Sequence, residues 1–178
     1  MLKKILIVLL VLIASPFIAA LFIEQDYAVD TQVTINKPVE QVFDYVRLLK
    51  NQDNFSVWSS MDTAMVKTYK GVDGSVGFVS AWKSDNPDVG QGEQEIMAIV
   101  PGKRIDYDLR FISPFEAVSP AYLTTSAISE GQTEVHWGFS GHMDYPMNIL
   151  LPLMKVDQVI AQDLQQGLEN LKQILESQ

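Results

Sequence analysis

The chain of 178 residues contains no cysteine. That absence removes a disulfide framework, a thiolate metal site, a thiol nucleophile and a cysteine for lipid acylation. Stability must then come from packing. Histidine is nearly as scarce, with only His136 and His142, and no paired-histidine zinc motif is present. A glycine-rich phosphate loop and a nucleophile elbow are also missing. Asp85, Asn86 and Asp88 lie close together but lack the glycine and distal glutamate of a calcium loop, so a plain turn is expected there. Neither a metal nor a cofactor is expected. Basic residues are outnumbered: all 22 acidic residues lie at or beyond Glu24, against 11 of the 13 Lys and Arg, and a domain starting at Glu24 carries a net charge of −11. Such a domain is repelled by phosphate backbones and anionic headgroups, which argues against nucleic acid as a partner.

What the chain does have is a charge-free apolar run, Ile5 to Ile23, 19 residues interrupted only by Ser15 and Pro16. At about 1.5 Å per residue it reaches roughly 28 Å, close to the ~30 Å hydrocarbon thickness of a bilayer. Lys3 and Lys4 before the run, with Glu24 and Asp26 after it, place the amino terminus in the cytoplasm and the rest outside. Residues 1–23 are therefore expected to form a transmembrane anchor or signal segment, and 24–178 a single domain, periplasmic or extracellular. Cleavage would make the domain secreted; Pro16 and Ala19-Ala20 favour that reading, whereas the length of the run and Ile18 at a position that wants a small residue oppose it.

Beyond the run, Val29, Thr31, Val33 and Ile35 alternate with polar residues, as in a half-buried strand. Asn36 and Pro38 mark a helix start, and Val39, Val42, Phe43, Val46 and Leu49 share one helical face. A short helix or turn at Phe55 to Trp58 follows. Strand-like segments then recur at 64–69, 76–82, 94–100, 104–111, 117–129 and 133–142, most of them separated by turn residues. Leu153, Val156, Ile160, Leu164, Leu168, Leu171 and Leu175 recur at helical spacing and predict one long helix over 150–176. The order predicts an α+β fold: a curved antiparallel seven-stranded sheet wrapped around the C-terminal helix, the only long cover available for the strand faces.

The segment Thr34 to Trp58, TINKPVEQVFDYVRLLKNQDNFSVW, resembles the opening of the START-like, or SRPBCC, superfamily, which includes polyketide cyclases and lipid-transfer proteins. Gly90-Gln91-Gly92, Pro101 to Ile105 with Tyr107, Gln132 to Trp137 and Asp163 to Lys172 extend the resemblance over 27–176. It implies a helix-grip fold that closes a hydrophobic cavity, and a hydrophobic or amphiphilic small molecule as partner.

Trp82, Tyr107, Phe111, Tyr122, Trp137 and Phe139 are expected on the concave side of the sheet, either filling a core or lining such a cavity. Leu164 and Leu168 supply the facing helix wall. Glu93 and Glu95 share a strand face with Met97 and Ile99, opposite Gln94, Ile96, Ala98 and Val100, so their orientation is open between the cavity and the surface. Glu95 is retained as a cavity candidate, because a buried glutamate with a raised pKa could exchange protons. Both histidines fall on the outer face, where Glu134, His136, Asp108 and Arg110 are expected to form a polar ladder. Gly167 within the terminal helix marks close packing or space for a ligand. No catalytic residue can be named. The reading that follows is a membrane-anchored, extracytoplasmic binding module. An enzyme of the cyclase, aromatase or hydrolase kind using Tyr107, Tyr122 or Glu95, and a partner-binding domain with a filled core, are the alternatives.

Overall fold

A computed structural model describes residues 2–178; Met1, the first residue of the expected anchor segment, lies outside them. Helix α1 (Leu2–Ala20) is long and apolar enough to cross a membrane, and nearly all its side chains are exposed. A five-residue link leads into the first strand. The strands are β1 (Asp26–Ile35), β2 (Val66–Lys70), β3 (Val79–Lys83), β4 (Gln91–Val100), β5 (Arg104–Ser113), β6 (Ala117–Ser129) and β7 (Gln132–His142). They form one antiparallel sheet in the order β1-β7-β6-β5-β4-β3-β2. Every neighbour is consecutive in sequence except β1 with β7. The sheet therefore needs only hairpin turns after the helical excursion between β1 and β2.

That excursion comprises α2 (Val39–Val46), a 3-10 helix (Leu49–Asn54) and α3 (Val57–Ser60). Helix α2 buries Val42, Phe43 and Val46, the stripe its apolar spacing predicts. Asn36 does not cap it. Pro38 occupies that position without a side-chain bond, and the backbone N–H and side chain of Asn36 instead donate to Glu176 Oε1 at 2.7 and 2.9 Å, joining the start of α2 to the end of the chain. The 3-10 helix is capped from a distance: Asp73 Oδ1 accepts the Leu49 backbone N–H at 2.8 Å.

The C-terminal helix departs from the expected single span. It is divided into α4 (Leu150–Met154) and α5 (Val156–Glu176) by Lys155, which adopts a left-handed conformation at φ 51°. Helical spacing carries no information about such a break, because the apolar residues keep their period across it. The consequence is that Leu153, expected on the buried stripe, is 75% exposed, while Leu164, Leu168, Leu171 and Leu175 are buried as expected.

Helix α5 lies against the concave face of the sheet, packing on β1 and β7. Ile35, Ile105, Leu123, Val135, Leu168, Leu171 and Leu175 fill the space between them at the end marked by the β6–β7 turn. Gly167 permits the closest approach: a Cβ there would come within 2.7 Å of the Trp137 indole. Of the two readings of that glycine, close packing is the one observed.

Candidate functional site

Toward the other end of the sheet the packing opens into a cavity of about 690 Å³. Its floor is the concave face. Alternation within each strand decides which residues reach it, since side chains two apart share a face. Trp82, Phe111, Trp137 and Phe139 line the floor, with Gln94, Leu109, Ser119 and Ala121. Val156, Ile160 and Leu164 form the α5 wall. Trp82 and Phe111 meet edge to face at 6.0 Å, and Phe55 supports Trp137 in the same manner at 5.5 Å.

Four of the predicted candidates lie elsewhere. Tyr122 points to the outer face, laid over Gly138 of the paired strand, where its hydroxyl donates to Asp30 Oδ2 at 2.7 Å and the Arg104 guanidinium stacks on its ring at 4.2 Å. Its neighbours Ala121 and Leu123 take the inner positions. Tyr107 points inward but is packed into the core without lining the cavity; burial raises its hydroxyl pKa, and the hydroxyl has no hydrogen-bond partner. Leu168 is likewise core, one turn of α5 beyond the hollow.

Glu95 lies on the outer face with Glu93. Arg110 donates to both, at 2.6 Å to each carboxylate, and its own pKa is raised by them. A register shift between Ile96 and Ala98 explains why the expected grouping of Glu95 with Met97 and Ile99 fails. Ile96 is buried before the irregularity and Ile99 packs on the core after it, so Gln94 and not Glu95 reaches the cavity. Arg110 accordingly leaves the expected histidine ladder. In that ladder His136 Nδ1 instead meets Asp30 Oδ1 at 2.8 Å, with Glu134 at 3.3 Å on the other nitrogen. Both hydrogen bonds raise the His136 pKa above its ordinary 6.5, Asp30 most strongly and burial opposing.

A further group of polar side chains collects on one wall. Lys67 from β2 forms a tight ion pair with Asp53 and donates to Ser59 Oγ at 3.1 Å, and all three line the cavity. Tyr69 donates to the other Asp53 oxygen at 3.0 Å; burial and that carboxylate push its pKa up to about 12. Sequence periodicity could not find this group, because Asp53 and Ser59 come from helical turns and Lys67 from an edge strand. Among the described residues no cluster of His, Asp or Glu is placed to hold a metal ion.

The cavity opens at the end of the sheet shared by the 84–90, 114–116 and 143–149 connections. Phe115, Met147 and Met154 stand at this mouth, each lining the hollow while remaining 55 to 63% exposed. His142 lies beside them between Asp26 at 2.6 Å and Asp144 at 3.2 Å, which raise its pKa. The site is thus a container with an aromatic and aliphatic floor, a polar wall, and a mouth where exposed apolar side chains stand beside Asp88, Glu116, His142 and Asp144.

Residues 27–176 match the profile of a family described as polyketide cyclase / dehydrase and lipid transport. No curated protein matches the chain by sequence. Among solved structures, Ara h 8.0201 superposes with a TM-score of 0.60 at 15% identity, over 86% of this chain and 99% of that one. Protein MLL2253 from Mesorhizobium loti gives 0.61 at 18% identity, over 85% and 98%. The di-domain aromatase/cyclase StfQ of the steffimycin biosynthetic pathway gives 0.65 at 9% identity, over 86% of this chain and 51% of StfQ. At these identities the likeness is one of fold.

Proposed function

We propose that this chain, which belongs to the polyketide cyclase / dehydrase and lipid transport family, holds one hydrophobic or amphiphilic small molecule beneath α5. The observation that carries the reading is the cavity of about 690 Å³, floored by aromatic side chains and supplied with a few polar groups. Pockets for small molecules have this size and this mixture. Gln94, Ser119 and the Lys67–Asp53–Ser59 group give an amphiphile polar contacts that a pure hydrocarbon could not use. A hollow of this volume also weighs against a partner-binding domain with a filled core.

Residues 1–23 anchor the protein and hold 24–178 outside the cytoplasm. The support is the apolar run Ile5 to Ile23, most of it in α1, preceded by Lys3 and Lys4 and followed by Glu24 and Asp26. An intact mass that includes α1 in the mature protein is the expected result, and loss of α1 would make the domain a secreted one.

The binding reading is tested by extracting the full chain, purified from its host membrane, and measuring the extract by mass spectrometry. One amphiphile is expected in near-equal amount with the protein, and Ala121→Phe, which places a ring in the hollow, should reduce it. Absence of any such molecule from the wild-type extract would remove the basis for the proposal.

An enzyme reading is favoured by one feature, the Lys67–Asp53 pair on the cavity wall. A lysine held beside a carboxylate can orient a carbonyl or an enolate. It predicts that Lys67→Met abolishes turnover of a polyketide-like substrate while the fold and the bound molecule are retained.

A further inference from the structure

The end of the sheet that carries the cavity mouth is also the end from which α1 leaves. Residues 21–25 connect α1 to β1 beside the last residues of β7, and Asp26 pairs with His142. The two features are fastened together. Asn148, fully buried in the 3-10 turn Met147–Ile149, donates its side-chain amide to the carbonyl oxygens of Ala20 and Ile23, at 2.8 Å each. The last carbonyls of a helix have no partners within it, so these bonds fix the final turn of α1 to the wall of the mouth. Met147, which opens that turn, and Leu150, which follows it, line the cavity.

The rim around this junction is apolar and uncovered. Phe22 is 85% exposed, Leu153 75%, and Phe115, Met147 and Met154 between 55 and 63%. Large side chains exposed together in this way mark an interaction surface. Their neighbours Glu24, Asp26, Asp88, Glu116 and Asp144 outnumber Lys83 and Lys155, which disfavours an anionic partner.

From this we infer that the rim formed by Phe22, Phe115, Met147, Leu153 and Met154 docks on the zwitterionic surface of the bilayer that holds α1, so that the cavity opens onto lipid headgroups and not onto water. The inference rests on the anchor reading given above. If α1 spans the hydrocarbon, its end at Ala20 lies at the interface, and the turn that Asn148 binds lies there too. Interfacial elements bury apolar side chains roughly 5 to 10 Å into the headgroup boundary, a depth that α4 and the 114–116 turn can share. The break at Lys155 has a use in this arrangement. It separates α4 from the α5 stripe, with Leu153 left exposed and Met154 at the mouth.

The absence of cysteine makes the test direct. Full-length Leu153→Cys, Phe115→Cys, Glu130→Cys and Ile13→Cys are each labelled with a polarity-sensitive fluorophore and reconstituted in phosphatidylcholine vesicles. Labels at 153 and 115 should shift to the blue and be quenched by headgroup-region spin-labelled phosphatidylcholine, while a label at 130, at the opposite end, stays aqueous. A label at 13 should be quenched by spin labels deep in the bilayer. If 13 is in the bilayer and 153 and 115 remain aqueous, the docked mouth is wrong and the anchor stands. If 13 is aqueous, the anchor reading fails and the docked mouth fails with it. Leu153→Asp combined with Phe22→Asp changes only exposed side chains outside the cavity lining and should return the label at 115 to an aqueous spectrum with 13 unchanged; a label at 115 that stays blue-shifted would show that the rim does not drive docking.

Discussion

His136 is held at the centre of an outer-face cluster with Asp30, Glu134 and Tyr122, and its two states differ in what they contribute. Its folded pKa is raised above 6.5, so its contribution to stability is fully present below pH 6.5 and is lost as pH rises through the raised value. Asp30 has the opposite sign. Burial pushes its carboxyl up, but the hydrogen bonds from His136 and Tyr122 outweigh it and leave the pKa below 3.8, so its contribution is present above 3.8 and lost as pH falls through the lowered value. Melting temperatures of wild type and His136→Gln should therefore converge as pH increases from 6.5 toward the alkaline range. A difference that grew with pH would contradict the assignment. At this scale, Trp137 and Phe139 alternate inward with His136 outward, as their spacing predicts, whereas Tyr122, expected inward, lies on the outer face of β6 although the pairing around it is regular. The orientation of Glu95 stays open in the sequence because a register shift is a property of the paired strands, invisible in β4 alone.

Helix α5 divides its apolar stripe between two tasks. Leu168, Leu171 and Leu175 pack solidly against the sheet, whereas Leu164, a turn nearer the amino terminus, borders the hollow. Removing a packed leucine leaves a cavity that neighbours cannot close, at a cost of about 2 to 5 kcal/mol. Leu168→Ala should fall in that range by chemical denaturation. Leu164→Ala should cost less, because part of its surface already faces empty space, and should enlarge the site. Equal losses at the two positions would mean that the hollow collapses around Leu164. The sequence period gave both leucines the same role, since spacing reports which face is buried and not what lies opposite. The division at Lys155 was equally illegible: a left-handed lysine has no sequence signature comparable to glycine.

For the molecule as a whole, the asymmetry between the two ends of the sheet matters more than its total charge. One end is closed by packed leucines and by Asn36 bound to Glu176; the other carries the cavity, the apolar rim and α1. The negative charge of the domain, −11 from Glu24 onward, then acts on whatever surface the rim meets. Adding phosphatidylglycerol to the vesicles should weaken the blue shift of a label at 153, and salt should restore it, since the screening length is about 10 Å at 0.1 M. Stronger docking on anionic vesicles would reverse the charge argument.

Two kinds of information stand apart in this protein. Periodicity and turn residues determined the element order, the antiparallel sheet, the terminal helix and the apolar N-terminal helix, because each depends on residues near one another in the chain. The cavity and its lining were decided by tertiary structure. Whether Gln94 or Glu95 reaches the hollow depends on a shifted pairing with β5, and whether Leu164 faces a ligand-sized space or Leu168 a packed core depends on what the sheet brings opposite. The bond from Asn148 to the end of α1 links residues more than 120 positions apart, and only the fold places the membrane-length helix beside the mouth of the container.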